Sequence, residues 1–157
     1  MIRKILVGAV FAALATACST TPDHNQADVT FAQQMVPHHA QALEMSKNVP
    51  DHTTNPKVRD LAARIQKAQD PEIQQLTTWL KAWGAEAAPM NHDSMTDSLK
   101  GKEFDTMWLQ MMIAHHRGAV TMAKTELTDG GNADAKAMAQ RIVDSQQAEV
   151  DEMTALL

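Results

Sequence analysis

The feature that most constrains this chain is that it states the same pattern twice. Met35-Val36-Pro37-His38-His39 returns 77 positions later as Met112-Ile113-Ala114-His115-His116. A further Met follows seven residues after the first His of each copy, at Met45 and Met122. The register then holds without a gap: Asn55 aligns with Asn132, Arg64-Ile65 with Arg141-Ile142, Gln69 with Gln146 and Glu72 with Glu149. Residues 31–80 and 108–157 share 15 identities over 50 aligned positions. A fold built from two copies of one unit is therefore required.

The unit is helical. Phe31, Met35, His38, Ala42, Met45 and Val49 alternate spacings of four and three, the seam of an amphipathic helix. Asp28 is positioned to cap that helix, and Pro37 inside it predicts a kink just before the His pair. Asn55-Pro56 reads as the start of a second helix, with the seam Val58, Leu61, Ile65, Gln69, Glu72, Leu76 and Trp79/Leu80. Asp70-Pro71 leaves open whether that helix breaks or bends. A third helix is expected from about Lys102 to Leu127, and Asn132 is placed to cap a fourth. No stretch alternates with period two, so the expected class is all-α: an antiparallel four-helix bundle of two hairpins, 28–83 and 102–157, joined by a connection over 84–101.

The first eighteen residues have another purpose. Arg3 and Lys4 precede an apolar run from Ile5 to Ala15 that ends in small residues, the layout of an export signal. Leu14-Ala15-Thr16-Ala17-Cys18 resembles the lipobox of bacterial lipoproteins, which would make Cys18 a lipid-attachment site and leave 19–27 as a tether. Cys18 is the sole cysteine, so no intrachain disulfide forms and packing must supply stability. Loss of the signal leaves 12 basic against 19 acidic residues, a net charge of about −7. With no Lys/Arg-rich tract, nucleic acid is a poor partner, and membrane contact is expected through the lipid anchor only. A homo-oligomer stays open.

Polar residues fall on the seam. With the hairpin loops centred near residues 53 and 130, His38 is expected opposite Gln69, Met35 opposite Glu72, His115 opposite Gln146 and Met112 opposite Glu149. Buried polar groups without partners cost roughly 1–3 kcal/mol each. Either a hydrogen-bonded network sets the helix register or a metal is held. Thioether with imidazole suits copper, above all Cu(I) with Cu(II) as the alternative, better than zinc, magnesium or calcium. The doubled motif favours the metal. Adjacent His residues lie about 100° apart on a helix, so His39 and His116 are expected at the bundle edge or in a separate site. Met111 enlarges the cluster, and Met90, His92 and Met95 place further soft ligands in the connection.

These residues together, the doubled Met-x-x-His-His with Ala42, Met45, Ala119 and Met122 and the pairs Gln69/Glu72 and Gln146/Glu149, resemble the bacterial domain-of-unknown-function family numbered 305, over about residues 28–157. The resemblance implies a ferritin-like bundle, usually exported, and copper binding. It implies metal-ligand roles for Met35, His38, His39, Met45, Met112, His115, His116 and Met122 only; whether Glu72, Glu149, Gln69 and Gln146 are extra ligands, outer partners of the ligands or simple His partners stays open. A copper-binding protein of the cell envelope, serving resistance or homeostasis, is the leading expectation.

Two other classes compete. A metal-free interaction module would use the polar seam only to set register. A ferritin-like di-metal oxidase would need Glu-x-x-His pairs, and neither Glu44 nor Glu103 has a His three residues on. No catalytic residues are legible, so enzymatic activity is not expected.

Overall fold

The computed structural model describes residues 23–89 and 98–157. Cys18 with the export signal, residues 19–22 of the tether, and Met90, His92 and Met95 lie outside the described residues. Among the described residues the chain forms four long helices and one short turn: α1 (Gln26–Lys47), α2 (Val49–His52), α3 (Pro56–Ala82), α4 (Gly101–Asp129) and α5 (Ala133–Leu156). None of these helices is long and apolar enough to cross a membrane.

The helix ends follow from their cap residues. Asn25, not Asp28, caps α1: its side chain accepts from the N–H groups of Ala27 and Asp28, and Asp28 accepts in return from the Asn25 N–H. This reciprocal box starts α1 earlier than the apolar seam alone indicated. Asn55 caps α3 with Pro56 at its first position, and Asn132 caps α5 through the Ala135 N–H. Gly84 takes a left-handed φ of 69° after α3, letting the Ala85 N–H reach back to the Leu80 carbonyl at 2.9 Å.

Neither internal proline interrupts its helix. Pro71 is exposed, so water can satisfy the carbonyl it frees. Pro37 deprives the Gln33 carbonyl of its helical donor, and the connection after α3 supplies another: the Ala88 N–H bonds that carbonyl at 3.1 Å, while Gln33 Nε2 donates to the Glu86 carbonyl. Ala114 stands at this position in the second copy, where no such repair is needed.

Within each hairpin, α1 packs on α3 and α4 on α5, and the hairpins meet along α1 and α4. These two run antiparallel: the Trp108 indole N–H reaches the Met45 carbonyl at one end, and Asn25 reaches the Asp129 carbonyl at the other. Arg64 joins α3 to α5 through Glu152. The arrangement is an antiparallel four-helix bundle whose halves are related by approximate two-fold symmetry.

The apolar core is divided in two. One cluster holds Ala42, Leu61, Ile65, Trp108, Leu109, Met112 and Met153 among others; the second holds their repeat equivalents Ala119, Met138, Ile142, Phe31, Ala32, Met35 and Leu76. The divide falls at the level of the His pairs. Two carboxylates clasp the ends of the bundle, and sequence reading did not single out this role. Asp28 accepts from the N–H groups of Gly131 and Asn132 in the opposite hairpin turn. Its equivalent Asp105 accepts from the Asn55 side chain at 2.9 Å.

Candidate metal centre

The layer between the two apolar clusters is where the repeat places its chemistry. His39 and His116 are fully buried, and each donates Nε2–H to a carboxylate at 2.8 Å, Glu72 and Glu149 respectively. His38 and His115 meet between α1 and α4 with ring centroids 3.7 Å apart and planes inclined by 34°. They are equivalent residues, so they touch on the approximate two-fold axis.

This reverses one expectation. His39 and His116 do not serve the bundle edge, and His38 and His115 do not face Gln69 and Gln146 across their own hairpins. α1 has two neighbours, α3 and α4, in directions separated by about the angle between consecutive helical residues. Both imidazoles are therefore used inside: His39 turns to α3 and His38 to α4, with the same division in α4. The pairing of α1 with α3 shifts accordingly by one helical turn, setting Glu72 against His39 and not Met35.

All four Nδ1 atoms of these histidines are buried without a hydrogen-bond partner, as is Nε2 of His115. Gln69 Oε1 and both polar side-chain atoms of Gln146 share that condition in the same layer. Native interiors leave few such atoms unpaired. In neutral His39 and His116, the N–H bonded to the carboxylate fixes the tautomer and leaves Nδ1 with a free lone pair. Metal-binding histidines are held in this way by an outer carboxylate. No three His, Cys, Asp or Glu side chains gather around one point among the described residues. An ion in this layer would thus draw on imidazole pairs completed by thioether, a donor set for a soft ion.

Electrostatics keep the central pair uncharged. Burial, with lesser contributions from the charges of His39 and His116, lowers His38 from 6.5 to about 4. Burial together with His38, His116 and His39 lowers His115 to about 3. Both rings therefore stay neutral at neutral and mildly acidic pH, each keeping one N–H and offering one lone pair. Gly118 makes room for the pair: a Cβ there would lie 3.0 Å from His38 Nε2.

The methionines divide into two groups. Met35 and Met112 are completely buried, one in each apolar cluster. Met45 and Met122 are partly buried against those clusters. Met111 is half-buried, and Met107, which sequence reading passed over, is 40% exposed. A signal for Met107 was available: it precedes Met111 by one helical turn on the same side of α4.

A four-helix bundle with a doubled His–carboxylate layer flanked by thioethers defines the class. The chain belongs to the DUF305 family, a domain of unknown function, whose model matches residues 28–99 and again 89–157. A DUF305 protein of Streptomyces coelicolor, assigned as secreted, is 33% identical and superposes with a TM-score of 0.78 over 83% of this chain and 91% of its own. CopM in its Cu(I)-bound form is 28% identical with a TM-score of 0.74, covering 82% of this chain and 94% of that one. CopM in its Cu(II)-bound form is 26% identical with a TM-score of 0.74 over the same shares. No curated protein matches the sequence.

Proposed function

We propose that this protein binds copper, chiefly as Cu(I), in the bacterial cell envelope, to sequester it or pass it on. The observation that carries the reading is the layer of four buried imidazoles whose Nδ1 atoms have no partner, two of them oriented by Glu72 and Glu149. His38, His115, His39 and His116 supply the nitrogen donors; Met35, Met112, Met45 and Met122 supply thioethers at the flanks. Glu72 and Glu149 orient, and Gln69 and Gln146 complete the polar lining. The likeness to CopM in copper-bound forms supports the metal, and the likeness to a secreted relative together with the N-terminal signal supports export. Lipid attachment at Cys18 would hold the bundle at a membrane.

Soft-ion chemistry favours Cu(I). Neutral imidazole and thioether carry no charge to neutralise a hard divalent cation, whereas a monovalent soft ion gains from polarisable sulfur. Binding only the folded state must also raise thermal stability.

The test is titration with Cu(I) under reducing conditions and separately with Cu(II), followed by metal analysis after desalting. Retention by the native protein with loss in a His38→Ala/His115→Ala/His39→Ala/His116→Ala variant is expected. Equal retention by both would sink the reading. The metal-free module would then be favoured if copper also left the melting temperature unchanged.

A further inference from the structure

We infer that Met45, Met107 and Met111 form a second soft-ion site, separate from the histidine layer and opening to solvent at Met107. The inference rests on the soft-metal reading above and extends it to a place where no histidine takes part.

α1 and α4 border a groove. At the end of the bundle nearest residue 122, a groove of about 350 Å³ is lined by Thr30, Phe31, Gln34, Met122 and neighbouring residues. The two-fold relation of the repeat carries those four positions to Met107, Trp108, Met111 and Met45. The contacts across α1 and α4 bear this out: the Trp108 indole N–H bonds the Met45 carbonyl at 2.9 Å, fixing Met45 level with Trp108. Met107 and Met111 lie one turn apart on the same flank of α4, on either side of that level. One end of the groove therefore carries a hydroxyl, an amide and one thioether. The equivalent positions at the opposite end of the α1–α4 contact carry three thioethers.

Packing does not call for this substitution. Trp108 is fully buried in the apolar core, whereas its repeat equivalent Phe31 lines the groove at the other end. Met107 is one of two large apolar side chains left exposed among the described residues, at a position where the repeat has Thr30. A polar residue would suffice there. Three neutral sulfurs from two facing helices make a ligand set for Cu(I) or Ag(I), which hard cations and protons compete for poorly. Met111 also stands one turn from His115, which sets the second site beside the histidine layer; no histidine belongs to it, and Met45 is the one thioether the two have in common.

The experiment is Ag(I) titration of the purified protein, silver serving as a monovalent soft probe that does not change oxidation state. Bound silver is counted after desalting, and the methyl resonances of 13C-labelled methionine are followed. Three proteins are compared: native, Met107→Leu/Met111→Leu and His38→Ala/His115→Ala. Met-to-Leu exchange preserves volume closely enough for the bundle to fold. The expected result is loss of one silver ion in the Leu variant. The Met45, Met107 and Met111 methyl signals should shift together in the native protein and in the His variant alike.

Full silver capacity in the Leu variant, or no movement of the Met107 signal, would overturn the inference while leaving the histidine reading intact. Loss of silver confined to the Leu variant, with the His variant unaffected, would uphold the inference and count against the histidine layer. A native protein that retains no silver would overturn both.

Discussion

The two ends of the bundle are built from equivalent residues and have become chemically different. At one end, Asp105 accepts from Asn55 in the opposite turn, Val49 belongs to the apolar core, and Met45, Met107 and Met111 stand at the positions equivalent to Met122, Thr30 and Gln34. At the other, Asp28 holds the backbone of Gly131 and Asn132, Glu126 replaces Val49, and Met122 faces Thr30 and Gln34. Between them, the histidine layer is almost unchanged: the two His–Glu bonds are both 2.8 Å. The duplication has kept its centre, where each half must fit the other, and let its ends diverge, where each is answerable only to its local neighbours.

Removing each clasp gives the largest contrast. Asp28 is fully buried and accepts from the backbone N–H groups of Asn25, Gly131 and Asn132. Burial works to raise its carboxyl, but interaction with Glu126 and these N–H groups outweighs it and leaves the acid stronger than usual. Asp28→Ala strands three donors and should cost about 3 kcal/mol in denaturant unfolding. Asp105→Ala releases one side-chain amide and should cost about 1 kcal/mol. Equal losses would mean that the two ends have not diverged energetically.

Glu126 gives the next effect, and it depends on pH. Burial, reinforced by the neighbouring Asp28, raises its carboxyl from 4.5 to about 8. A side chain at Gly130 would collide with it, which accounts for glycine there. Between pH 4.5 and about 8 the folded chain keeps a proton that the unfolded chain has released. Glu126 therefore weakens the fold progressively as pH rises through that window, and no further above it. Glu126→Gln should be as stable as the native protein at pH 4 and about 1–2 kcal/mol more stable at pH 8.5. A pH-independent difference would exclude this origin.

The conserved centre predicts equality instead. His39→Gln and His116→Gln each remove a buried imidazole bonded to a carboxylate in the same geometry. Each should cost about 1 kcal/mol without metal, the two agreeing within experimental error. A difference above about 1 kcal/mol would show that the centre has diverged as well.

The sequence made the bundle legible because apolar spacing, capping asparagines and the repeat all pointed the same way. It also carried the doubled Met-x-x-His-His, but not the direction of each ring. Periodicity implies a single inward arc for α1 and so matches His38 to Gln69; α1 has two neighbours, and His38 meets His115. Asp28 read as a helix cap because its partners, Gly131 and Asn132, are more than a hundred positions away and no local pattern announces them. Glu126 gave no signal, since a glutamate near a helix C-terminus ordinarily sits in water. Met107 was legible in principle: comparing the copies at Thr30 and Gln34 exposes the substitution that helical periodicity hides.

The smallest structural change should have the most specific result. Thr30→Met with Gln34→Met would give the Met122 end the same three thioethers found at the Met45 end. Both positions lie toward solvent on the side of α1 that borders the groove, so the stability change should stay within about 0.5 kcal/mol. The expected outcome is one additional bound silver ion, with the Met122 methyl signal shifting in the variant more than in the native protein. Phe31 is smaller than Trp108 and has no indole N–H to tie the facing helix, so the added site should bind more weakly than the native one. If the variant gains no silver although the native three-methionine end binds it, sulfur placement alone does not make the site. The distinguishing feature would then be the Trp108–Met45 contact, which holds the two helices at a fixed separation and has no counterpart at Phe31.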